Sequence, residues 1–386
     1  MNIVVAADSF KGSLSSLQVG HEVKQGIINS GLDANVEIVG IADGGEGTVE
    51  VLLHANAGEK VNVYVHNPLM DRTEASYAIL HMHGEECVVI ECAQSTGLDL
   101  VPTDLRNPLH TNSFGLGELI KDAICKGYRQ FFLTLGGSAT NDGGTGMLQA
   151  LGWKFYDENG EVIENNRNPL ISIDRIDDTT ALSELKDCTF TVMSDVSNPF
   201  HGERGAVQVF SRQKGATNEQ MVILEKAMIK YAKLIYEKYG CTVQDIQGAG
   251  AAGGLGGALA GILGANIQPG IDLIINMVGL EEKIKDADLI ITGEGSLDGQ
   301  SIMGKVPVGV AKLAKKNHKP VIGIGGRIDT DLHELNQYLD AVFSIQTECR
   351  QLEEAMSFDV TTKQIRVVSE QIIRMTQAIN TRKRGK

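Results

Sequence analysis

Short β-branched apolar runs recur along the chain, each followed by a loop of Gly with Asp, Asn, Ser or Thr and then by a helical pattern. The runs are Ile3–Ala7, Val36–Ile41, Phe131–Leu135, Phe190–Met193, Leu289–Thr292 and Val321–Ile324. Runs apolar on both sides imply strands covered on both faces, so the unit predicts mostly parallel strands flanked by helices, an α/β protein. Ligands of open parallel sheets sit at the carboxyl ends of strands, where these polar loops must lie. Between residues 73 and 92 the pattern changes. Ala75-Ser76-Tyr77-Ala78-Ile79-Leu80, a turn at Gly84 and Cys87-Val88-Val89-Ile90 read as an antiparallel hairpin and hence as the start of a second, mixed-sheet domain. Plain strand–loop–helix units return near Asp286. The expectation is therefore one parallel-sheet domain built from 1–70 plus 284–386, with a mixed α/β domain, 71–283, inserted.

From Ile246 to Ile271 no charged residue occurs, and Gly253, Gly257 and Gly261 give G-x-x-x-G spacings that imitate a membrane span. Nine glycines with Gln247, Asn266, Gln268 and Pro269 make the stretch only weakly apolar, and Leu255, Leu259, Ile262 and Leu263 share one helical face. A buried helix of a globular protein is the reading.

Composition narrows the function. The 386 residues are 42% hydrophobic and 22% charged, ordinary for a globular chain of about two domains. Lys+Arg 35 against Asp+Glu 49 leaves a net charge of −14, which disfavours nucleic acid and anionic membranes as partners. The amino-terminal run lacks a basic leader before Asp8, so a cytoplasmic protein is expected. The six cysteines show no C-x-x-C spacing, which predicts reduced thiols and no structural metal. His81 and His83 near Cys87 read as a hairpin tip rather than a zinc site.

The 44 glycines concentrate in the strand-end loops. Asp8-Ser9-Phe10-Lys11-Gly12-Ser13 places a lysine beside a helix start with a Ser15/Gln18 capping box, suited to a phosphate or carboxylate. In Asp43-Gly44-Gly45-Glu46-Gly47-Thr48 two carboxylates are either helix caps or holders of Mg²⁺. Gly136-Gly137-Ser138-Ala139-Thr140-Asn141-Asp142-Gly143-Gly144-Thr145-Gly146 is a nest of N–H donors for an anion. It has no G-K-[ST], which disfavours a Walker-type NTPase. Asp195, in Ser194-Asp195-Val196-Ser197-Asn198-Pro199, either orients a substrate hydroxyl and takes its proton or makes an Asx-turn. Gly248-Ala249-Gly250-Ala251-Ala252-Gly253 matches G-x-G-x-x-G without the strand that a dinucleotide fingerprint needs, leaving helix packing or nucleotide approach open. Gly293-Glu294-Gly295-Ser296-Leu297-Asp298, with Gly304-Lys305 opening the next helix, again joins two acids to a lysine. The inventory of anion nests, acids and lysines fits phosphoryl transfer, whose loose transition state calls for positioning, metal and positive charge.

These motifs in this order, from Ala7-Asp8-Ser9-Phe10-Lys11 to Thr292-Gly293-Glu294-Gly295, closely resemble the type I glycerate kinase family from about Ile3 to Phe343. The resemblance implies an enzyme dependent on ATP and Mg²⁺ that phosphorylates D-glycerate, usually at the 2-hydroxyl. It also implies a Rossmann- or flavodoxin-like domain and an inserted α/β domain with the site in the cleft between them; a homodimer stays open. Residue roles follow as expectations. Asp195 and Lys11 are the catalytic candidates. Asp8, Ser9, Gly136, Gly137, Ser138, Thr140, Asn141, Asp142 and Asn198 would bind substrate or phosphate. Gly250, Gly253, Gly293, Gly295 and Lys305 would bind nucleotide, and Asp43, Glu46, Glu294 and Asp298 would hold Mg²⁺ or its waters. The alternatives are a glycerate 3-kinase, a nicotinamide-dependent oxidoreductase using the Gly248 motif, and a non-catalytic regulator that binds a sugar acid or nucleotide.

Overall fold

The computed structural model describes residues 1–82, 84–299, 301 and 305–384, by backbone alone from 380 onward. His83 and Gly304 lie outside the described residues. The strands are β1 (Asn2–Val5), β2 (Asn35–Ile38), β3 (Gly58–His66), β4 (Arg72–Met82), β5 (Glu85–Glu91), β6 (Gln130–Thr134), β7 (Lys154–Tyr156), β8 (Arg175–Asp177), β9 (Thr189–Met193), β10 (Asn266–Gln268), β11 (Leu289–Leu297), β12 (Val321–Ile328) and β13 (Ala341–Ser344). All six apolar runs and the hairpin are strands. The chain divides into two compact units, one of Met1–Asp43, Glu50–Asn56 and Ile271–Lys386, the other of Gly44–Val49 and Ala57–Gly270.

The first unit holds a five-stranded parallel sheet in the order β13-β12-β11-β1-β2. Its core joins Ile3, Val5 and Ala7 of the central strand to Ile291, Ile324 and the helix residues Val19, Val23 and Ile27. Those three recur at every fourth position of the helix Ser16–Asn29, so one face is apolar and the other polar. The expected capping box is present at its start, Ser15 receiving the Gln18 N–H while the Gln18 side chain accepts from Ser15. This helix lies against the long helix Phe358–Arg384, close enough that a Cβ on Gly26 would stand 2.4 Å from the Arg366 carbonyl. That helix continues through the backbone of Arg382-Lys383-Arg384.

The second unit holds a six-stranded sheet, β10-β9-β6-β5-β4-β3, parallel from β10 to β5 and antiparallel at β4 and β3, plus the small pair β7-β8. The unit boundaries fall elsewhere than expected for physical reasons. Strand β3 pairs with β4 from Gly58↔Leu80 to His66↔Arg72, so the second unit takes the chain from Ala57, not 71. At the other end Ile271 packs against Gly309, where a Cβ would stand 2.4 Å away, so the return comes at 271, not 284.

The stretch expected as one helix over 246–271 is helical only from Ala251 to Gly261, and Ala252, Gly253 and Gly254 inside it have φ of 52°, 70° and 94°. This left-handed break lets the backbone of Gly253 lie against the loop after β6. Leu255 and Leu259 are buried as the pattern requires. Among the described residues no helix is long and apolar enough to cross a membrane.

A Cβ at Gly253 would stand 2.1 Å from the Thr140 carbonyl oxygen at a left-handed φ. Gly253→Ala should therefore lose about 3 kcal/mol of stability through clash and strain together, measured by denaturant titration, whereas Gly264→Ala, which meets nothing within 4 Å, should lose only the backbone share.

Candidate active site

In the first unit the parallel pairing of β1 with β11 brings the loop after β1 beside the carboxyl-terminal half of β11. The Asp8 N–H donates to the Gly293 carbonyl at 2.8 Å, which sets Asp8 beside Glu294. There a cavity of about 440 Å³ is lined by Asp8, Ser9, Lys11, Asp43, Glu294, Gly295, Lys305 and Arg327, with Leu352 and Met356 as apolar wall. Asp8 is 4% exposed and Glu294 6%. Burial raises the Asp8 carboxyl to about 7, with Asp43 adding to the shift, while the Ser9 N–H and Lys11 oppose it. Burial also raises Glu294, against the Ser301 hydroxyl that donates to it and Lys305, whose ammonium lies 3.5 Å away. Lys11 approaches Asp43 at 3.8 Å and is 65% exposed. Lys305 stands at the N-cap of the helix Val306–Lys316. Arg327, which was not among the expected site residues, follows Gly325-Gly326 near the carboxyl end of β12.

Three cations and three carboxylates in one cavity can take an anion of several charges together with a divalent metal. The metal candidates do not form a closed cage: among the described residues no three carboxylate, imidazole or thiol groups gather as a metal site. Glu46 belongs to the second unit and is exposed. Asp298 is drawn into its own turn, accepting from Ser296 Oγ at 3.1 Å while its N–H donates to Ser301 Oγ at 3.2 Å. Asp43 and Glu294 remain beside the cavity, enough for Mg²⁺, which is commonly held by one or two carboxylates with waters and substrate phosphates. Gly293 has no Cβ because the Ile324 carbonyl lies 2.3 Å from where it would stand, so it serves strand packing; Gly295 faces the cavity.

In the second unit the Gly136–Gly146 loop is organised by two buried charges. Asp142 is fully buried and accepts the N–H groups of Ser113, Gly144 and Gly146 and the Ser113 hydroxyl. Its carboxylate therefore shapes the loop rather than facing a ligand. Asn141 accepts from Ser211 Oγ at 2.9 Å, yet its amide nitrogen and the Thr140 hydroxyl are buried without a partner. The second charge, Lys214, was not among the expected site residues. Its ammonium is buried and donates to Ser138 Oγ at 2.9 Å and the Thr140 carbonyl at 2.6 Å. Burial lowers it to about 8.

Asp195 is exposed just past β9 and its Oδ1 accepts the Gly270 N–H at 2.9 Å. Asn198 donates to the Arg204 carbonyl at 2.7 Å, and its own carbonyl accepts from Gly250. Gly250 and Gly253 are packed against the backbones of Pro199 and Thr140, so the space of their absent side chains is filled by protein. The residues before them form a 3₁₀ turn, Val243–Asp245, not a strand, which removes the dinucleotide fingerprint. His81 approaches Glu86 at 3.3 Å in an exposed pair.

The raised Asp8 has a stability consequence. Between about pH 4 and pH 7 the folded chain holds a proton that the unfolded chain has released, so stability falls as pH rises across that window, by an upper bound of about 4 kcal/mol. Asp8→Asn should raise Tm relative to the parent above pH 7 and lose that advantage below pH 4. A gap that does not change with pH contradicts the assignment.

Residues 3–377 match the Glycerate kinase family. The chain is 44% identical over 357 residues to the Glycerate 2-kinase of Escherichia coli (strain K12), covering 92% of this chain and 93% of the relative. It is 42% identical over 356 residues to the Glycerate kinase of Bacillus subtilis (strain 168), again covering 92% and 93%. A crystal structure from Salmonella typhimurium LT2, assigned as glycerate kinase 2, matches with a TM-score of 0.85 and 41% identity over 99% of both chains. Identity at this level over nearly the whole length, with the strand-end loops in place, means that the chain belongs to the glycerate kinase family, kinases that phosphorylate an alcohol.

Proposed function

We propose that the protein transfers the γ-phosphoryl group of ATP to the 2-hydroxyl of D-glycerate, giving 2-phosphoglycerate. The observation that carries the ATP side is the cavity of the first unit, where Lys11, Lys305 and Arg327 meet at the carboxyl edge of a parallel sheet. Positive charge there compensates the phosphate oxygens as the bond to the leaving oxygen lengthens. Family membership supports glycerate as the acceptor, and the name of the Escherichia coli relative supports the 2-hydroxyl. Mg²⁺, when bound, neutralises phosphate charge, and Asp43 and Glu294 are the carboxylates that would hold it or its waters.

The acceptor side is assigned to the second unit. Asp195 is exposed and fixed on one oxygen by Gly270, which orients the carboxylate for a substrate hydroxyl. The hydroxyl proton passes to Asp195 as the new P–O bond forms and the bond to the β-phosphate oxygen breaks. The Gly136–Gly144 loop takes the glycerate carboxylate through its N–H groups.

Two outcomes test this reading. With ATP, Mg²⁺ and D-glycerate, added enolase should produce phosphoenolpyruvate absorbance without phosphoglycerate mutase; signal only with mutase identifies the 3-hydroxyl instead, and none in either case removes the glycerate reading. Asp195→Asn should lower kcat by roughly 10²–10⁴-fold with Tm nearly unchanged. Near-normal turnover removes Asp195 as the base.

A further inference from the structure

Lys214 is a buried charge of the second unit that the proposed chemistry has not yet used. It is 2% exposed, and both oxygens it donates to, Ser138 Oγ and the Thr140 carbonyl, are neutral. Its influence from acids comes from Asp142, whose own oxygens are occupied by Ser113, Gly144 and Gly146. A desolvated ammonium without a carboxylate beside it is a large penalty in the absence of an anion and a strong attraction in its presence, because the surrounding dielectric is low. Two further buried side-chain groups in the same loop, the Asn141 amide nitrogen and the Thr140 hydroxyl, have no partner within the protein. Gly137, next to Ser138, is exposed and Gly136 before it is partly so, and Gly137 adopts a left-handed φ of 74° that turns the backbone.

We infer that Lys214 is the positioning residue for the glycerate carboxylate: it fixes Ser138 and Thr140 and supplies the positive charge beneath the loop that receives the substrate anion. This rests on the glycerate reading given above. The charge balance favours a carboxylate over a phosphate here. One ammonium matches one negative charge, whereas the several charges of a triphosphate are met by the three cations of the first unit.

The inference carries its own pH signature. The groups facing Lys214 are Asp142 and the Cys92 thiol, the latter pushed up to about 12 by burial and so neutral. Lys214 itself is protonated below about 8 and loses its charge above it, so carboxylate affinity is present at neutral pH and falls as pH rises through 8.

The test compares wild type with Lys214→Met, which keeps an unbranched side chain one atom shorter and removes the charge. The variant should raise the KM for D-glycerate at least tenfold while the KM for ATP stays within about twofold. Calorimetric titration of D-glycerate into wild type should show affinity falling about tenfold from about pH 7 to about pH 9, and the variant should show no such fall. A variant with unchanged D-glycerate KM, or with the ATP KM raised instead, overturns the inference and leaves the glycerate reading intact. A variant that does not fold leaves the wild-type pH titration to decide, and a flat profile there counts against Lys214. Wild type that neither binds nor phosphorylates D-glycerate overturns both.

Discussion

The parallel pairing of β1 with β11 is the constraint on which the first unit depends. Ile3, Val4 and Val5 align with Leu289, Ile290 and Ile291, and the ladder runs on through Ala6 and Asp8 to Gly293. The loop after β1 and the last residues of β11, from opposite ends of the chain, are thereby forced together, and their acids are brought within electrostatic reach of one another. A hairpin would not do this; a parallel pair places both carboxyl ends on the same side and needs a long crossover to return the chain. Here that crossover includes the whole of the second unit. The strands that hold the site therefore come together only after a large loop has closed, which is an entropic demand on folding as well as a geometric device.

The two units bury different combinations of charge. In the first, carboxylates are buried and the cations are more exposed: Asp8 and Glu294 are nearly inaccessible, while Lys11 and Arg327 face solvent. Carboxyls so placed are held above their ordinary range by desolvation and gain from any cation that enters. In the second, a carboxylate and a lysine are both buried: Asp142 is met by the N–H groups of its own loop, while Lys214, lowered by the same physics, donates only to neutral oxygens and favours an anion. Each unit is thus less stable for the group it keeps from water, and a ligand of the opposite charge offsets that penalty.

Much of this was legible in the chain because parallel strands buried on both faces leave continuous apolar runs, and the polar loops after them stand out. The loops at Asp8 and Gly136 were found that way, whereas Gly293-Glu294-Gly295, expected as a loop, continues β11 as strand to Leu297. Strand β3 was not, since Glu59, Lys60 and Asn62 on an edge strand interrupt the apolar pattern. Strands β10 and β13 are short, and the first lies inside a glycine-rich stretch whose period suggested one helix. Glycine spacing could not distinguish ligand approach from packing; at Gly250, Gly253 and Gly293 neighbouring backbone fills the space a side chain would take. Lys214 gave no signal at all, because burial of a lysine in a polar turn is a property of tertiary structure.

Calorimetric titration of Lys11→Met with ATP and Mg²⁺, and separately with D-glycerate, tests the account most directly, since Lys11 is exposed and its loss should leave the fold intact. The account predicts ATP affinity weakened at least tenfold and D-glycerate affinity unchanged. Weakened D-glycerate binding with ATP binding intact would contradict it, because the cavity beside Asp8 and Glu294 would then be the acceptor site.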